Sequence, residues 1–193
     1  MSGKIAKFQE EHPSLESYWR SIILFGNNVA SYKFALAKTL LEIAPEGKPA
    51  VRLEELAAPY VKHLCEHLRH SPKQVTSGSS KFLQACMDYN AEQLLAVTVK
   101  LGFNNVIDAF HKVNRAELPV KFFEKDYNGS AKRIILTDDI FKMDELPTKK
   151  SFLPEVESRW NLVETAWELG VNRSLLTLRA KSYLSMNRFG GRI

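Results

Sequence analysis

The sequence predicts a mainly α-helical (α+β) protein with a bundle-like helical core and one small β-hairpin. Apolar residues recur at steps of three and four through most of the first 113 positions, a spacing typical of amphipathic helices. After Pro119 the helical periodicity gives way to two short runs of branched and aromatic residues. Between these runs stands Asn128-Gly129, a dipeptide that favours tight turns with positive φ.

The first predicted helix runs from Ser14 to Ile43. Ser14 follows Pro13 and is a plausible helix start, and Pro45 and Gly47 end the pattern. The apolar residues on its expected inner face are Phe25, Val29, Tyr32, Leu36, Leu40 and Ile43. Further helices are predicted over Leu53 to His70, Lys81 to Tyr89, Ala91 to Leu101 and Asn104 to Val113, with a loop over residues 71 to 80.

The second half of the chain is predicted to hold the hairpin and an amphipathic helix. Val120 to Glu124 and Arg133 to Leu136 form the two strands, and a short helix follows through Met143. The predicted organisation is a helical core over 1–146 with the hairpin near 120–136, a linker over 147–154, an amphipathic helix over 155–170 and a poorly ordered basic tail over 171–193.

Charge is distributed unevenly along the chain. Residues 1–170 hold 22 basic and 22 acidic side chains, whereas residues 171–193 hold five basic ones and no acid, so the net charge of +5 lies in the tail. No window has the roughly 18 uninterrupted apolar residues that a membrane helix needs, and residues 1–11 do not resemble a signal peptide. We therefore expect a cytoplasmic protein that does not enter a membrane.

A cluster of His63, Cys65, His67 and His70 is the only pattern reminiscent of a metal site. His63 and His67 have the i, i+4 spacing of two ligands on one helix face, but Cys65 points to another face and no further ligand stands at a defined spacing. We expect a helix face bearing histidines and no bound metal. Cys65 and Cys86 are expected to be buried thiols, and no catalytic nucleophile, nucleotide-binding loop or cofactor is predicted.

The segment from Ala91 to Phe141 has the order helix, turn, helix, wing. In winged-helix proteins the second helix enters the major groove of DNA and the wing contacts phosphates. Lys132 and Arg133 would then bind phosphates from the hairpin. Asn104, Asn105 and Lys112 would face the groove, although this helix has no arginine for base reading. The alternative is a small helix-and-hairpin subdomain that closes the core, which we favour about two to one.

Three stretches carry a resemblance to a known family: YWRSIILFGNNVASYKFALAKTLLE (Tyr18 to Glu42), LGFNNVIDAFH (Leu101 to His111) and ESRWNLVETAWELG (Glu157 to Gly170). They resemble the N-terminal region of larger bacterial HNH endonucleases, over Pro13 to about Leu176. In that family the nuclease centre lies in a later domain, with a histidine base and metal ligands. None of those elements is found in this chain, so the resemblance implies no catalytic residue here.

Two function hypotheses from different classes follow. The first is a non-catalytic N-terminal module of an HNH endonuclease-type protein that recognises nucleic acid, with DNA as ligand, or positions a separate or downstream nuclease domain. The second is a protein-interaction or regulatory module without affinity for nucleic acid. Because the resemblance ends near Leu176 and Thr177 to Ile193 has no acid and no periodicity, we also expect a frameshifted or truncated N-terminal fragment, which the gene sequence would test.

Overall fold

The computed structural model describes residues 14–26, 30–74, 81–88, 90–113, 116–129 and 131–171. In these ranges the chain is mainly helical with a small antiparallel sheet, which confirms the predicted fold class. The helices are α1 (Leu15–Phe25), α2 (Tyr32–Ile43), α3 (Leu53–His70), α4 (Lys81–Asp88), α5 (Ala91–Val97), α6 (Val106–Ala109), α7 (Asp138–Glu145) and α8 (Lys149–Glu168). The strands are β1 (Ala50–Arg52), β2 (Lys112–Val113), β3 (Ala116–Glu117), β4 (Phe123–Asp126) and β5 (Arg133–Leu136). The basic tail, with the predictions made for it, lies outside the described residues.

The predicted single helix from Ser14 to Ile43 is wrong, because the chain forms two helices there. The Ser14 side chain accepts a hydrogen bond from the Ser17 backbone N–H and so caps α1. Gly26 then leaves the helix in an extended conformation and forms an isolated bridge with Val113. A Cβ at Gly26 would lie 2.2 Å from the Ile22 carbonyl oxygen, so this exit requires glycine.

The hairpin is confirmed, with its second strand at the predicted residues and its first strand at Phe123–Asp126 instead of Val120 to Glu124. The sheet also contains a third strand that the sequence did not predict. β5 pairs with β4 on one side and with β1 on the other, both antiparallel. Ile134 lies at the centre, opposite Val51 on β1 and Lys125 on β4. A strand of only three residues, directly before a helix, has too few alternations to be recognised from its pattern.

Helix α3 matches its predicted bounds. The Glu55 carboxylate accepts a 3.0 Å hydrogen bond from the Arg52 backbone N–H and closes the first turn. Pro59 lies within the helix, which continues through it because the inner face of α3 packs into the core. The helix predicted over Ala91 to Leu101 ends earlier than expected, since α5 ends at Val97 and passes at Thr98–Gly102 into a π-helical turn.

The predicted helix over Asn104 to Val113 is also wrong beyond Ala109. Helix α6 is a single turn, after which β2 and β3 pair as a short ladder. The change of structure is fixed by His111, whose Nε2 accepts a 3.0 Å hydrogen bond from the Phe122 backbone N–H. Continuing the helix would remove this buried interaction and leave the Phe122 amide without that acceptor.

The predicted linker over 147–154 is mostly helical, because α8 begins at Lys149. Pro154 lies inside it. Burial of Phe152 explains why the helix starts ahead of this proline, since its side chain is 1% exposed and packs against Trp19. Helix α8 is therefore part of the core and not an appended element. Its buried apolar face is formed by Phe152, Val156, Trp160, Val163 and Trp167.

Aromatic rings from distant parts of the chain meet at the centre of the core. The Trp19 ring contacts Phe122 edge-to-face at 5.2 Å between centroids, and Phe110 lies 6.0 Å away. Phe34 of α2 stacks on Trp160 of α8 at 5.8 Å.

Among the helices of the described ranges, none has both the length and the apolar character needed to cross a bilayer.

Candidate nucleic-acid interface

An ion pair joins the hairpin to helix α6, and an aromatic ring lies beside it on the hairpin. Lys125 of β4 contacts the Asp108 carboxylate through hydrogen bonds of 2.8 and 2.9 Å. The ammonium groups of Lys125 and Lys132 lie 4.8 and 5.4 Å from the centroid of the Tyr127 ring. Because both lysines contact one ring, positive charge is concentrated around an aromatic side chain near the hairpin turn.

The two predicted phosphate-binding residues differ in how far their charge is available. Lys132 is exposed and, among the described residues, forms no ion pair. Arg133 donates a 2.7 Å hydrogen bond from Nε to the Asp126 carboxylate, which lowers the pKa of Asp126. The guanidinium of Arg133 is therefore already paired with a carboxylate, whereas the ammonium group of Lys132 is not paired among the described residues.

The other predicted nucleic-acid ligands do not share a recognition helix, so that prediction is wrong. Asn104 and Asn105 are exposed but precede α6, and Lys112 lies in strand β2. Asn105 has a φ of 70°, a conformation that asparagine adopts more readily than most residues, so its place in the sequence is explained by the turn. The Lys112 carbonyl accepts a 3.2 Å hydrogen bond from Lys33, while its side chain is exposed.

A groove of about 630 Å³ lies between α6, the β2–β3 ladder and β4. Among the described residues, three lysines and three carboxylates line it, so their formal charges cancel. The residues that line it are Ile107, Asp108, His111, Lys112, Glu117, Lys121, Phe123, Glu124 and Lys125. Such a mixed lining suits a ligand that itself carries both charges at least as well as it suits a polyanion.

His111 contributes an imidazole to the groove, and this ring is held neutral. Burial, helped by the charges of Lys121 and Lys33, lowers the pKa of His111 to about 3. Its Nε2 accepts the Phe122 N–H, so the proton of the neutral ring is on Nδ1. The imidazole therefore has a structural role and adds no positive charge to the groove at neutral pH.

A second polar cluster, which sequence reasoning missed, is buried between α3 and α8. The Nδ1 of His67 lies 2.7 Å from Glu164 Oε1, and its Nε2 lies 3.3 Å from Glu157 Oε2. The imidazole also stacks on the Trp160 indole. Lys38 forms a 2.7 Å ion pair with Glu157 at the edge of the cluster.

Gln74 connects this cluster to the loop after α3. Its Nε2 donates to Glu164 Oε1 at 2.5 Å, and its Oε1 accepts from Trp160 Nε1 at 3.1 Å. Ser31 also donates to the Gln74 side chain. The only sequence signal was the spacing of Glu157, Trp160 and Glu164, which places two carboxylates and an indole on one helical face.

The four residues of the predicted cluster on α3 contact different partners and do not converge on one point. His63 Nε2 lies 3.0 Å from Glu42, and burial lowers the pKa of His63. The exposed His70 donates from Nδ1 to the Glu66 carbonyl at 2.9 Å, and Cys65 faces Cys86. Within the described ranges, no three His, Cys, Asp or Glu side chains are grouped as metal ligands would be.

In comparisons with known proteins, no family model, curated protein or solved structure matches the chain.

Proposed function

We propose that this chain is a non-catalytic module that recognises nucleic acid, of the kind found in the N-terminal region of HNH endonuclease-type proteins. The observation that carries the proposal is the placement of Lys125 and Lys132 around the Tyr127 ring, beside α6. Flexible cations near a partly exposed aromatic ring can bind phosphates and bases of any nucleic-acid sequence.

The sheet topology supports the same proposal. Strand β1, which lies between α2 and α3 in the chain, pairs with the second strand of the hairpin and closes it into a three-stranded sheet. This is the arrangement by which winged-helix domains hold their wing, an analogy at the level of the fold. With β1 in place, the turn between β4 and β5 projects from a supported sheet instead of from an isolated hairpin.

The stretches that resemble the endonuclease family are packed against one another. Trp19 from the first stretch contacts Phe110 from the second at 6.0 Å between ring centroids. Phe34 from the first stacks on Trp160 from the third. The resemblance therefore lies in a set of mutually packed segments, which supports the view that they form one shared core.

The charge balance of the groove favours a second candidate, a protein-interaction module without nucleic-acid affinity. Asp108, Glu117 and Glu124 would repel phosphates as strongly as the neighbouring lysines attract them. A partner segment with alternating charges would find complementary groups in the groove.

Titration of a fluorescently labelled DNA duplex of mixed sequence separates the two candidates. If the chain recognises nucleic acid, we expect it to bind the duplex with an affinity that falls steeply between about 50 and 200 mM salt, because each phosphate contact releases counterions. Lys132→Ala should weaken binding to all sequences alike and lower the salt slope by about one unit. The second candidate expects no binding even at low salt.

Lys62→Ala is the matched control for this experiment. Lys62 is an exposed lysine of α3 that does not line the groove, so its removal changes the net charge equally but leaves the hairpin intact. Equal losses from Lys132→Ala and Lys62→Ala would show attraction by net charge alone and would contradict a hairpin site. A larger loss from Lys132→Ala would support it.

A further inference from the structure

The chain has two cysteines, and the fold brings them together. Cys65 lies near the middle of α3 and Cys86 lies in α4, 21 positions later. The Cys65 thiol donates a 3.7 Å hydrogen bond to the backbone carbonyl oxygen of Cys86, so the two cysteines are in direct contact. Both side chains are partly exposed, so small solutes can reach them.

We propose that Cys65 and Cys86 form a hydroperoxide-sensitive redox site, in which Cys65 is oxidised first and Cys86 converts the product to an intramolecular disulfide between α3 and α4. This site is separate from the nucleic-acid surface, and the inference does not depend on the proposed function.

The local electrostatics identify Cys65 as the attacking sulfur. The neighbouring Cys86 thiol, as a donor to a Cys65 thiolate, lowers the pKa of Cys65 to about 7, and the Arg69 guanidinium one turn further along α3 acts in the same direction. Burial and Glu66 oppose this effect. The same hydrogen bond and burial raise the pKa of Cys86, so near neutral pH the thiolate is on Cys65.

One molecule of hydroperoxide oxidises both thiols, and no other oxidant is needed. The Cys65 thiolate attacks one peroxide oxygen, an S–O bond forms as the O–O bond breaks, and the leaving hydroxide takes a proton to become water. The Cys86 sulfur then attacks the Cys65 sulfenic acid, an S–S bond forms as the S–O bond breaks, and the Cys86 proton leaves with the hydroxide as a second water. Two thiols are oxidised and one peroxide is reduced to two waters.

The resulting cross-link would restrain α4 against α3. Helix α4 has eight residues, and its Phe82 packs against Tyr60 of α3 and against the π-helical turn at Gly102. A bond from Cys86 to α3 would therefore hold a short helix whose position otherwise depends on a few apolar contacts.

The test is oxidation of the full chain with a small excess of hydrogen peroxide near neutral pH, followed by alkylation, intact mass measurement and peptide mapping. We expect the protein to lose the mass of two hydrogen atoms and to yield a peptide joined through Cys65 and Cys86. Reduction should restore the original mass. A folded chain that keeps both thiols, or that forms only disulfides between molecules, would overturn the proposal.

Variants test the order of events. Cys86→Ala should accumulate a sulfenic acid on Cys65, which dimedone traps. In Cys65→Ala, the remaining thiol of Cys86 should be oxidised at least about tenfold more slowly than Cys65 in the wild type. Arg69→Gln, a change at an exposed residue, should slow oxidation without preventing it. Equal reactivity of the two cysteines, or the same rate in the urea-unfolded chain as in the folded one, would show that the fold does not build this site.

Discussion

The imidazole of His67 stacks on the indole of Trp160 with their centroids 3.5 Å apart and their planes 2° from parallel. Both ring nitrogens of His67 face carboxylates, Glu164 on one side and Glu157 on the other. A nearly buried ring is thus held by stacking across its face and by hydrogen bonds at its edge. This arrangement fixes the position of α8 on α3 more narrowly than apolar contacts alone would.

Gln74→Met should destabilise the protein by about 3 kcal/mol, because it removes the shared partner of several buried groups. Trp160 Nε1 would lose its acceptor and Glu164 would lose a donor, while the volume of the side chain is nearly kept. The free energy of unfolding from urea titration measures the effect. The exposed Gln93→Met is the matched control and should change stability by less than about 0.5 kcal/mol; equal effects would contradict a role for the network.

Gly102→Ala should destabilise the protein by about 1–3 kcal/mol, although alanine usually favours helical segments. The added Cβ would lie 2.8 Å from the Phe82 ring and 3.2 Å from the Thr98 methyl group, both in the core. Gly129→Ala provides the control, since its nearest neighbour would be a carbonyl oxygen at 3.9 Å. Thermal unfolding should distinguish them, and Phe82→Leu should recover part of the loss at Gly102. An unchanged melting temperature for Gly102→Ala would show that the turn relaxes freely.

Stability should fall with acidification partly because of His111. Its folded-state pKa of about 3 lies below the unfolded value of about 6.5, so the unfolded chain binds the extra proton. The stabilisation is complete above about pH 6.5 and is lost as pH falls toward 3, with a slope of up to about 1.4 kcal/mol per pH unit.

His111→Gln tests this pH dependence, because the glutamine Oε1 can replace Nε2 as acceptor for the Phe122 N–H without titrating. Urea titrations between about pH 7 and pH 4 should give a shallower fall of the unfolding free energy in the variant. His111→Asn, whose amide is too short to reach, should lose stability at every pH. Parallel curves for wild type and His111→Gln would exclude His111 as a source of the slope.

Asp108→Asn should strengthen salt-dependent DNA binding by releasing Lys125 from its ion pair. One additional cation beside Tyr127 would raise the salt slope by about one unit. Asp139→Asn removes the same charge from α7, where Asp139 pairs with Lys142 at 3.5 Å. If both variants bind DNA equally, the gain comes from net charge and not from the hairpin.

The sequence predicted the elements whose signals are local. The apolar period of α3 and the Asn128-Gly129 turn were sufficient to place a helix and a hairpin. The prediction failed where a contact with a distant residue determines the local structure. Gly26 ends α1 and forms a bridge with Val113, and His111, which follows α6, accepts a hydrogen bond from Phe122.

The site was predicted incompletely for the same reason. Lys132 and Arg133 were placed correctly on the hairpin, but the pairing of Arg133 with Asp126 reduces its available charge. Nothing near His67 in the sequence indicates that its partners come from a helix 90 or more positions away. Lys112 was assigned to a helix that instead ends at Ala109.

The order of strands in the sheet has a consequence for synthesis on the ribosome. β1 is made early, yet β5, its sheet partner among the described residues, begins at Arg133, and the indole that covers His67 comes later still at Trp160. A nascent chain that ends before Arg133 therefore leaves β1 unpaired, and one that ends before Trp160 also leaves His67 without the ring that covers it. The described core can be completed only after α8 has been made, and until β5 is made the edge of β1 can pair with other chains.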